Sequence, residues 1–90
     1  MRLGYDPNKN AWNIQERGLS FEDVALLDWT TAMVRQDRRQ DYGEDRFQAL
    51  VEGADGRPHV VVFTLRGETL WVISFRRAHE REKGRYGKGA

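Results

Sequence analysis

Positively charged side chains gather at the end of the chain, where they could bind a polyanion. Residues 76–90 carry six Lys or Arg against two Glu, a net charge of +4, whereas residues 1–75 carry nine against twelve Asp or Glu, a net charge of −3. The overall charge of +1 therefore hides a basic tail on an acidic body. Such an asymmetry indicates a patch for a polyanion, although a solvated C-terminal helix would give much the same count.

Three residues with different proton-binding chemistry are predicted to lie in one row across a β-sheet. A two-residue Asp55-Gly56 turn would place Glu52 opposite His59, and a two-residue turn at 67–68 would place His59 opposite Arg76. A carboxylate, an imidazole and a guanidinium in one row could transfer protons and hold an anion. Solvated ion pairs at strand ends would give the same row, and a three-residue loop or a bulge would remove it.

The two faces of this predicted sheet differ in composition. One face is nearly all apolar and is the predicted core face: Phe47, Ala49, Val51, Val60, Val62, Thr64, Trp71, Ile73 and Phe75. The other is apolar in the centre and polar at its ends: Arg46, Gln48, Leu50, Glu52, His59, Val61, Phe63, Leu65, Leu70, Val72, Ser74 and Arg76. We expect the second face to carry the functional site.

Capping signals predict two helices at the start of the chain. Asp6 suits the N-cap, and Gly18 suits the position after the last turn, so the first helix is expected over Pro7–Arg17. Its narrow apolar stripe is Ala11, Trp12 and Ile14. Ser20 and Asp23 form a capping box for a second helix that would end near Trp29. Its buried candidates are Phe21, Val24, Ala25 and Leu27.

Alternating patterns after residue 32 predict a small sheet. A short strand begins at residue 33, and three further strands at 46–52, 59–65 and 70–76 read as a meander, whereas the segment 3–5 is too short to assign. Residues 77–86 would form a short helix. The expected fold is a single α+β domain over residues 1–90, with two N-terminal helices packed on one face of a small twisted antiparallel sheet and a short C-terminal helix.

Composition excludes several classes of site. The 90 residues contain no cysteine, which excludes a disulfide framework, a thiolate zinc site and a cysteine nucleophile. The chain has no apolar run long enough for a membrane span and no signal-peptide pattern at its start. We therefore expect a cytoplasmic protein that does not enter a membrane.

Short motifs spread over most of the chain resemble a known family. The first group is Tyr5, Asp6, Lys9, Asn13, Arg17 and Gly18, with Phe21 and Ala25; the second is Glu44, Arg46 and Phe47. The third is Val61, Val62, Phe63, Thr64, Arg66, Ile73, Ser74, Arg76, Ala78, Glu82 and Tyr86. In order and spacing they resemble the BrnT toxins of bacterial type II toxin-antitoxin systems. One departure is Arg17, where members of that family usually carry His.

The resemblance implies a fold and a set of partners. BrnT toxins are ribonucleases with a RelE-like α+β fold, and their activity would inhibit translation. A cognate BrnA-like antitoxin would bind the toxin in a hetero-oligomer and block RNA cleavage. The antitoxin would also contribute the DNA-binding half of a complex that represses its own operon, so that operator DNA is bound only through the complex.

The expected reaction is RNA cleavage without a metal or another cofactor, because the sequence offers no clustered metal ligands. The RNA 2′-hydroxyl would attack the adjacent phosphate, which requires proton transfer and stabilisation of the phosphorane charge. The catalytic candidates are Arg46 and Arg76 for the phosphate, Glu52 or His59 from the register, and Glu82 from the family match. The RNA-binding candidates are Lys9, Phe63, Arg66, Arg77, Arg81 and Tyr86.

Two other functions fit the same residues. A non-catalytic module with a toxin-like fold could bind an antitoxin or nucleic acid, and the missing family His makes this alternative relevant. A basic domain acting alone could bind nucleic acid with an affinity that falls steeply as salt rises.

Overall fold

The computed structural model describes residues 2–82, which form one sheet with a helical layer on part of it. The strands are β1 (Arg2–Tyr5), β2 (Asp28–Asp37), β3 (Arg46–Glu52), β4 (Pro58–Arg66) and β5 (Thr69–Arg77). Between β1 and β2 lie the α-helix α1 (Pro7–Arg17) and a 3-10 helix (Phe21–Leu26). The five strands are arranged in the order β1-β5-β4-β3-β2. Within residues 2–82, no helix is long and apolar enough to cross a membrane.

Helix α1 confirms the prediction from its caps, with the same bounds. The Asp6 side chain accepts a hydrogen bond of 2.8 Å from the Asn8 N–H, and Gly18, at φ 68°, donates its N–H to the Ile14 carbonyl. The predicted buried stripe is wrong, however, because Trp12 and Ile14 are exposed. The buried residue is Asn13, so α1 is attached through a polar group rather than through an apolar stripe.

Asn13 explains how α1 is held beside β5. Its Nδ2 donates hydrogen bonds of 2.9 Å to the Leu19 and Phe75 carbonyls. Strand β1 pairs with β5 only as far as Tyr5 opposite Val72, so the later part of β5 has no strand partner on this side within residues 2–82. The Asn13 amide therefore satisfies a strand carbonyl that a sixth strand would otherwise bind.

The predicted second N-terminal helix is wrong in type and length. Ser20 does cap it, accepting from the Glu22 N–H at 3.2 Å, but only a six-residue 3-10 helix forms. The Leu27 N–H bonds to the Val24 carbonyl three residues back, and that carbonyl also accepts the Trp29 indole N–H at 2.9 Å. Strand β2 begins at once at residue 28, because Trp and Thr favour extended backbone.

The sheet is mixed rather than antiparallel, which corrects the predicted fold class. Strands β2 to β5 form the expected antiparallel meander, but β1 pairs parallel to β5, with Leu3 opposite Leu70. Four residues are too few to show a period of two, so sequence alone did not place β1. Its position follows from burial, because Leu3 and Tyr5 pack against the core.

The predicted strand register is wrong for two reasons. Asp55-Gly56 lies inside a five-residue loop, in which Gly53 donates its N–H to the Arg57 carbonyl at 2.8 Å, so Val51 lies opposite His59. Strand β5 also contains a bulge at Ile73, since Ser74 pairs with Val62 and Val72 with Phe63. An odd loop exchanges the two faces of a strand, so the faces of β4 differ from those predicted.

The core lies between one face of the sheet, here called the inner face, and the 3-10 helix. Its buried members are Phe21, Val24, Ala49, Val51, Val61, Phe63, Leu70, Val72 and Phe75. Burying a side chain such as Phe21 or Val61 contributes about 1.5–3 kcal/mol. Several of these residues were assigned to the functional face, which is wrong. The opposite face, here called the outer face, carries Arg46, Arg66, Trp71, Ser74 and Arg76.

Candidate functional site

The predicted row of Glu52, His59 and Arg76 does not exist. Strand register places Glu52 opposite Pro58, and His59 opposite Val51 and Arg77. The His59 ring is buried on the inner side against Phe75, at 5.4 Å between ring centroids. Its Nδ1 lies 2.9 Å from the Arg57 carbonyl oxygen. The structure therefore brings neither Glu52 nor His59 to Arg76.

Arg76 forms a bidentate ion pair with Glu82. Its Nη1 and Nη2 donate to the two Glu82 carboxylate oxygens at 2.7 and 2.8 Å, and the His79 N–H donates to the same carboxylate at 2.9 Å. The Arg76 hydrogen bonds, together with that of His79, lower the pKa of Glu82 from 4.5 to about 2. At neutral pH Glu82 is therefore an anion and has no proton to donate. Its hydrogen bonds hold the segment after β5 against Arg76.

A second group of arginines lies at the other end of the outer face, and we call it the arginine–glutamate cluster. It consists of Arg46, Glu44 and Arg66. The Glu44 carboxylate lies 3.7 Å from the Arg46 Nε and 3.5 Å from the Arg66 Nη2. The Arg46 Nε is buried and makes no hydrogen bond. Two guanidinium groups thus converge on one carboxylate without tight hydrogen bonds, an arrangement suited to an anionic group.

Aromatic rings support both guanidinium groups of this cluster. The Arg46 guanidinium lies 4.1 Å from the centre of the Tyr42 ring, and that of Arg66 lies 4.4 Å from the centre of a Trp71 ring. Trp71 in turn fills the space beside Gly4, where an added Cβ would meet its Cε3 at 2.8 Å. Cation–π stacking restricts each guanidinium to one plane and leaves its N–H edge available.

The connection between β2 and β3 holds Tyr42 in place. The buried Asp37 carboxylate accepts from Arg39 at 2.8 and 2.9 Å and from the Tyr42 hydroxyl at 3.2 Å. These Arg39 hydrogen bonds hold the pKa of Asp37 well below its usual range, so the carboxylate remains charged. The Thr64 hydroxyl fixes the following stretch by donating to the Asp45 carbonyl at 2.7 Å.

Residues of α1 form a groove with β5, here called the α1–β5 groove, and its lining mixes polar and apolar side chains. It has a volume of about 240 Å³, and its lining includes Lys9, Trp12, Arg17 and Ser74. The Arg17 Nη1 donates to the Ser74 hydroxyl at 3.0 Å and to the Asn13 Oδ1 at 3.1 Å. Its guanidinium lies 5.0 Å from the centre of a Trp12 ring, and 53% of Trp12 is exposed.

The remaining RNA-binding candidates occupy different surroundings. Phe63 is buried and stacks on Phe47 at 5.6 Å, which leaves no face of its ring for a nucleotide base. Arg77 and Arg81 are exposed. Tyr86 lies outside the described residues.

Sequence reasoning missed three residues of these clusters. Glu44 was noted only within a family motif, and Trp12 was assigned to a buried stripe. Arg17 was noted only within a family motif and as a departure from the family's His. The spacing of residues 9, 12, 13 and 17, which places them on one side of a helix, was a signal that could have identified the groove.

An apolar groove on the other side of the molecule offers different chemistry. Its volume is about 490 Å³, and Leu3, Val24, Trp29 and Phe63 are among its lining residues. Arg2 is the charged residue of this lining. An apolar lining with a single cation does not suit a polyanion such as RNA.

Acidic and imidazole side chains do not gather into a ligand set in the described part of the chain. Across residues 2–82, no three His, Asp or Glu side chains are grouped so that they could hold a metal ion. The arrangement instead offers guanidinium groups to a bound anion and one carboxylate, Glu44, beside them.

Comparison with known proteins identifies the family of this chain. The family described as "Ribonuclease toxin, BrnT, of type II toxin-antitoxin system" matches residues 5–82. The crystal structure of the Brucella abortus ribonuclease toxin BrnT is similar, with a TM-score of 0.71 and 29% sequence identity over 89% of this chain and 99% of that one. No curated protein matches this chain. Because the family match spans nearly the whole described fold, including both outer-face arginine groups, the chain belongs to the BrnT ribonuclease toxins of type II toxin-antitoxin systems.

Proposed function

We propose that this chain is a metal-independent endoribonuclease whose reaction takes place at the arginine–glutamate cluster. The observation that carries the proposal is the convergence of Arg46 and Arg66 on Glu44. Two fixed positive charges can stabilise a phosphorane, and a carboxylate beside them can accept a proton. The cluster therefore supplies from protein groups the charge that a metal ion would supply elsewhere.

The proposed chemistry uses the 2′-hydroxyl of the RNA. Glu44 removes its proton, and the resulting oxyanion attacks the adjacent phosphorus. Arg46 and Arg66 donate hydrogen bonds to the phosphoryl oxygens as their charge grows in the transition state. The bond to the 5′-oxygen breaks, and this oxygen takes a proton from water. The products are a 2′,3′-cyclic phosphate and a free 5′-hydroxyl.

In this proposal Arg76 and Glu82 position a segment of the chain and take no part in the reaction. Arg76 lies opposite Val60 on β4, four residues from Thr64, which pairs with Arg46. At ~3.3 Å per residue this separates the two arginines by about 13 Å along the strand. We assign Arg76 and Glu82 to positioning the segment after β5, and Arg77 and Arg81 to binding the RNA backbone.

The proposed partner is a cognate antitoxin. Membership in a type II toxin-antitoxin family supports an antitoxin that binds this chain, and RNA as its substrate. We propose a BrnA-like, DNA-binding antitoxin in a hetero-oligomer in the cytoplasm, with operator DNA bound only through that complex. Co-expression of the chain with the adjacent reading frame, followed by size-exclusion chromatography, tests this: two chains eluting apart would contradict it.

A cleavage assay tests the reaction and its site together. The purified chain in EDTA should convert single-stranded RNA into fragments that end in a 2′,3′-cyclic phosphate. Arg66→Ala should reduce kcat/KM by about 100-fold, because a donor to the transition state is lost. Arg57→Ala is the matched control, since Arg57 also forms a loose pair, with Asp55 at 3.7 Å, but lies in the distant β3–β4 loop.

Each other result contradicts a specific part of the proposal. Activity that disappears in EDTA would rule out the metal-free route. Equal losses in the Arg66 and Arg57 variants would rule out this site. A wild-type chain that cleaves no RNA would favour the non-catalytic interaction module.

A further inference from the structure

We propose that the α1–β5 groove is a second RNA-binding subsite, in which Trp12 stacks on an unpaired base and Arg17 and Lys9 bind the phosphate beside it. The inference rests on the proposed RNA cleavage, because it assigns to this groove the nucleotides that flank the cleaved bond. The ligand class is single-stranded RNA, since only an unpaired base can lie flat on an indole.

The charge of the groove distinguishes it from the rest of this surface. Among residues 2–82, Arg46 and Arg66 share a carboxylate and Arg76 has its own. Within the same residues, neither Lys9 nor Arg17 lies within 4.0 Å of a carboxylate oxygen. Phosphate binding depends on positive charge that is not already neutralised, so these two cations are the more available ones.

The Arg17 guanidinium is also fixed in orientation by neutral groups of the groove. Arg17 uses one nitrogen, Nη1, for its bonds to Asn13 and Ser74, and both acceptors are uncharged. Asn13 is itself 1% exposed and fixed by two backbone carbonyls. The guanidinium is therefore oriented without losing its charge, and its other N–H groups have no hydrogen-bond partner within residues 2–82.

Trp12 provides the surface for a base. It is more than half exposed although it is the largest apolar side chain of α1, and the helix buries a polar residue instead. The Arg17 guanidinium lies over the indole, 5.0 Å from a ring centre, so a cation stands directly beside the exposed ring. Aromatic rings beside cations in a groove are typical of single-strand binding surfaces.

The groove and the arginine–glutamate cluster lie on one path. The bulge at Ile73 places both Ser74 and Trp71 on the outer face, opposite Val62 and Thr64. Three residues of strand at ~3.3 Å each separate them by about 10 Å. A few nucleotides of extended RNA can span this distance, so one strand can contact both places.

Substrate kinetics of the full chain test the proposal. In cleavage of single-stranded RNA, Trp12→Ala should raise KM about tenfold and leave kcat within about twofold, while Trp12→Phe should restore most of the binding. Arg17→Ala should raise KM and weaken its salt dependence. Ile14→Ala is the matched control, since it removes an exposed apolar side chain of α1 outside the groove.

A binding measurement separates this inference from the proposed function. The probe is a fluorescent, uniformly 2′-O-methylated single-stranded RNA, which cannot be cleaved through its 2′-oxygen. Weaker binding by Trp12→Ala than by Ile14→Ala would support the subsite even if the wild type cleaved nothing. Equal affinity and equal KM in these two variants would overturn the subsite while leaving the cleavage site standing.

Discussion

The arginine–glutamate cluster and the α1–β5 groove hold their cations in opposite ways. Arg46 and Arg66 lie near a carboxylate of the chain, whereas Arg17 is oriented by a serine hydroxyl and an asparagine amide. A carboxylate holds a guanidinium strongly but cancels its charge, and neutral acceptors hold it more weakly and leave the charge intact. Counting arginines therefore does not measure how much positive charge a surface offers to RNA.

The largest effect is expected from Glu44→Gln. This change separates proton removal by Glu44 from phosphate binding by Arg46 and Arg66. If Glu44 accepts the proton, kcat should fall about 100-fold. KM should fall as well, because the charges of Arg46 and Arg66 are no longer offset. The cluster would then offer positive charge that is not offset by a carboxylate, as the groove does. The two regions would still differ in their effect on kcat. An unchanged kcat would exclude Glu44 as the base, and Glu52→Gln serves as the exposed control on the same face.

Asn13→Ala tests whether neutral acceptors are sufficient to hold the groove. The substitution leaves the Leu19 and Phe75 carbonyls without their side-chain donor and removes an acceptor of Arg17. We expect a loss of about 2–3 kcal/mol in the free energy of unfolding, measured by urea denaturation. Asn8→Ala is the control, since Asn8 is exposed on the same helix. A loss below that of the control would mean that α1 does not depend on this amide.

The smallest effect is expected from the pH dependence of the Arg76–Glu82 pair. The pKa of Glu82 is lowered in the folded chain to about 2 from 4.5, so its stabilisation is complete above pH 4.5 and lost as pH falls towards 2. The pair is partly open to water, so on the order of 1 kcal/mol is expected. Urea midpoints of wild type and Glu82→Gln should converge over this pH range. Curves that remain parallel would show that the ionisation of Glu82 adds nothing to stability.

Sequence predicted the parts of this fold that depend on local chemistry. Asp6 and Gly18 fixed the bounds of α1, and the strands at 46–52, 59–65 and 70–76 were placed to within a residue or so. The predicted register was wrong because the β3–β4 loop has five residues and β5 has a bulge at Ile73. Both depend on backbone hydrogen bonds that the sequence pattern does not show. Asn13 was noted within a family motif, but its burial was not predicted, because it depends on hydrogen bonds to the Leu19 and Phe75 carbonyls that no local pattern shows.

The residues of the candidate site also differ in whether local sequence or distant contacts determine their positions. Arg46 and Arg66 were chosen partly from their positions in motifs and stay predictions, whereas Glu52 and His59 were chosen from a register that does not form. Trp12 and Arg17 share one side of α1, but they line a groove only because that side lies along β5, which sequence periodicity does not determine.

The parallel pairing of β1 with β5 has a consequence for how the chain folds. Arg2 pairs with Thr69, so the ends of this contact are 67 residues apart, whereas β3 and β4 close across a five-residue loop. Contacts of such separation carry a large loop-closure entropy and form late. During synthesis the first strand must wait until β5 has left the ribosome. The β3–β4 hairpin can thus form early, while the edge that packs Gly4 against Trp71 is completed last.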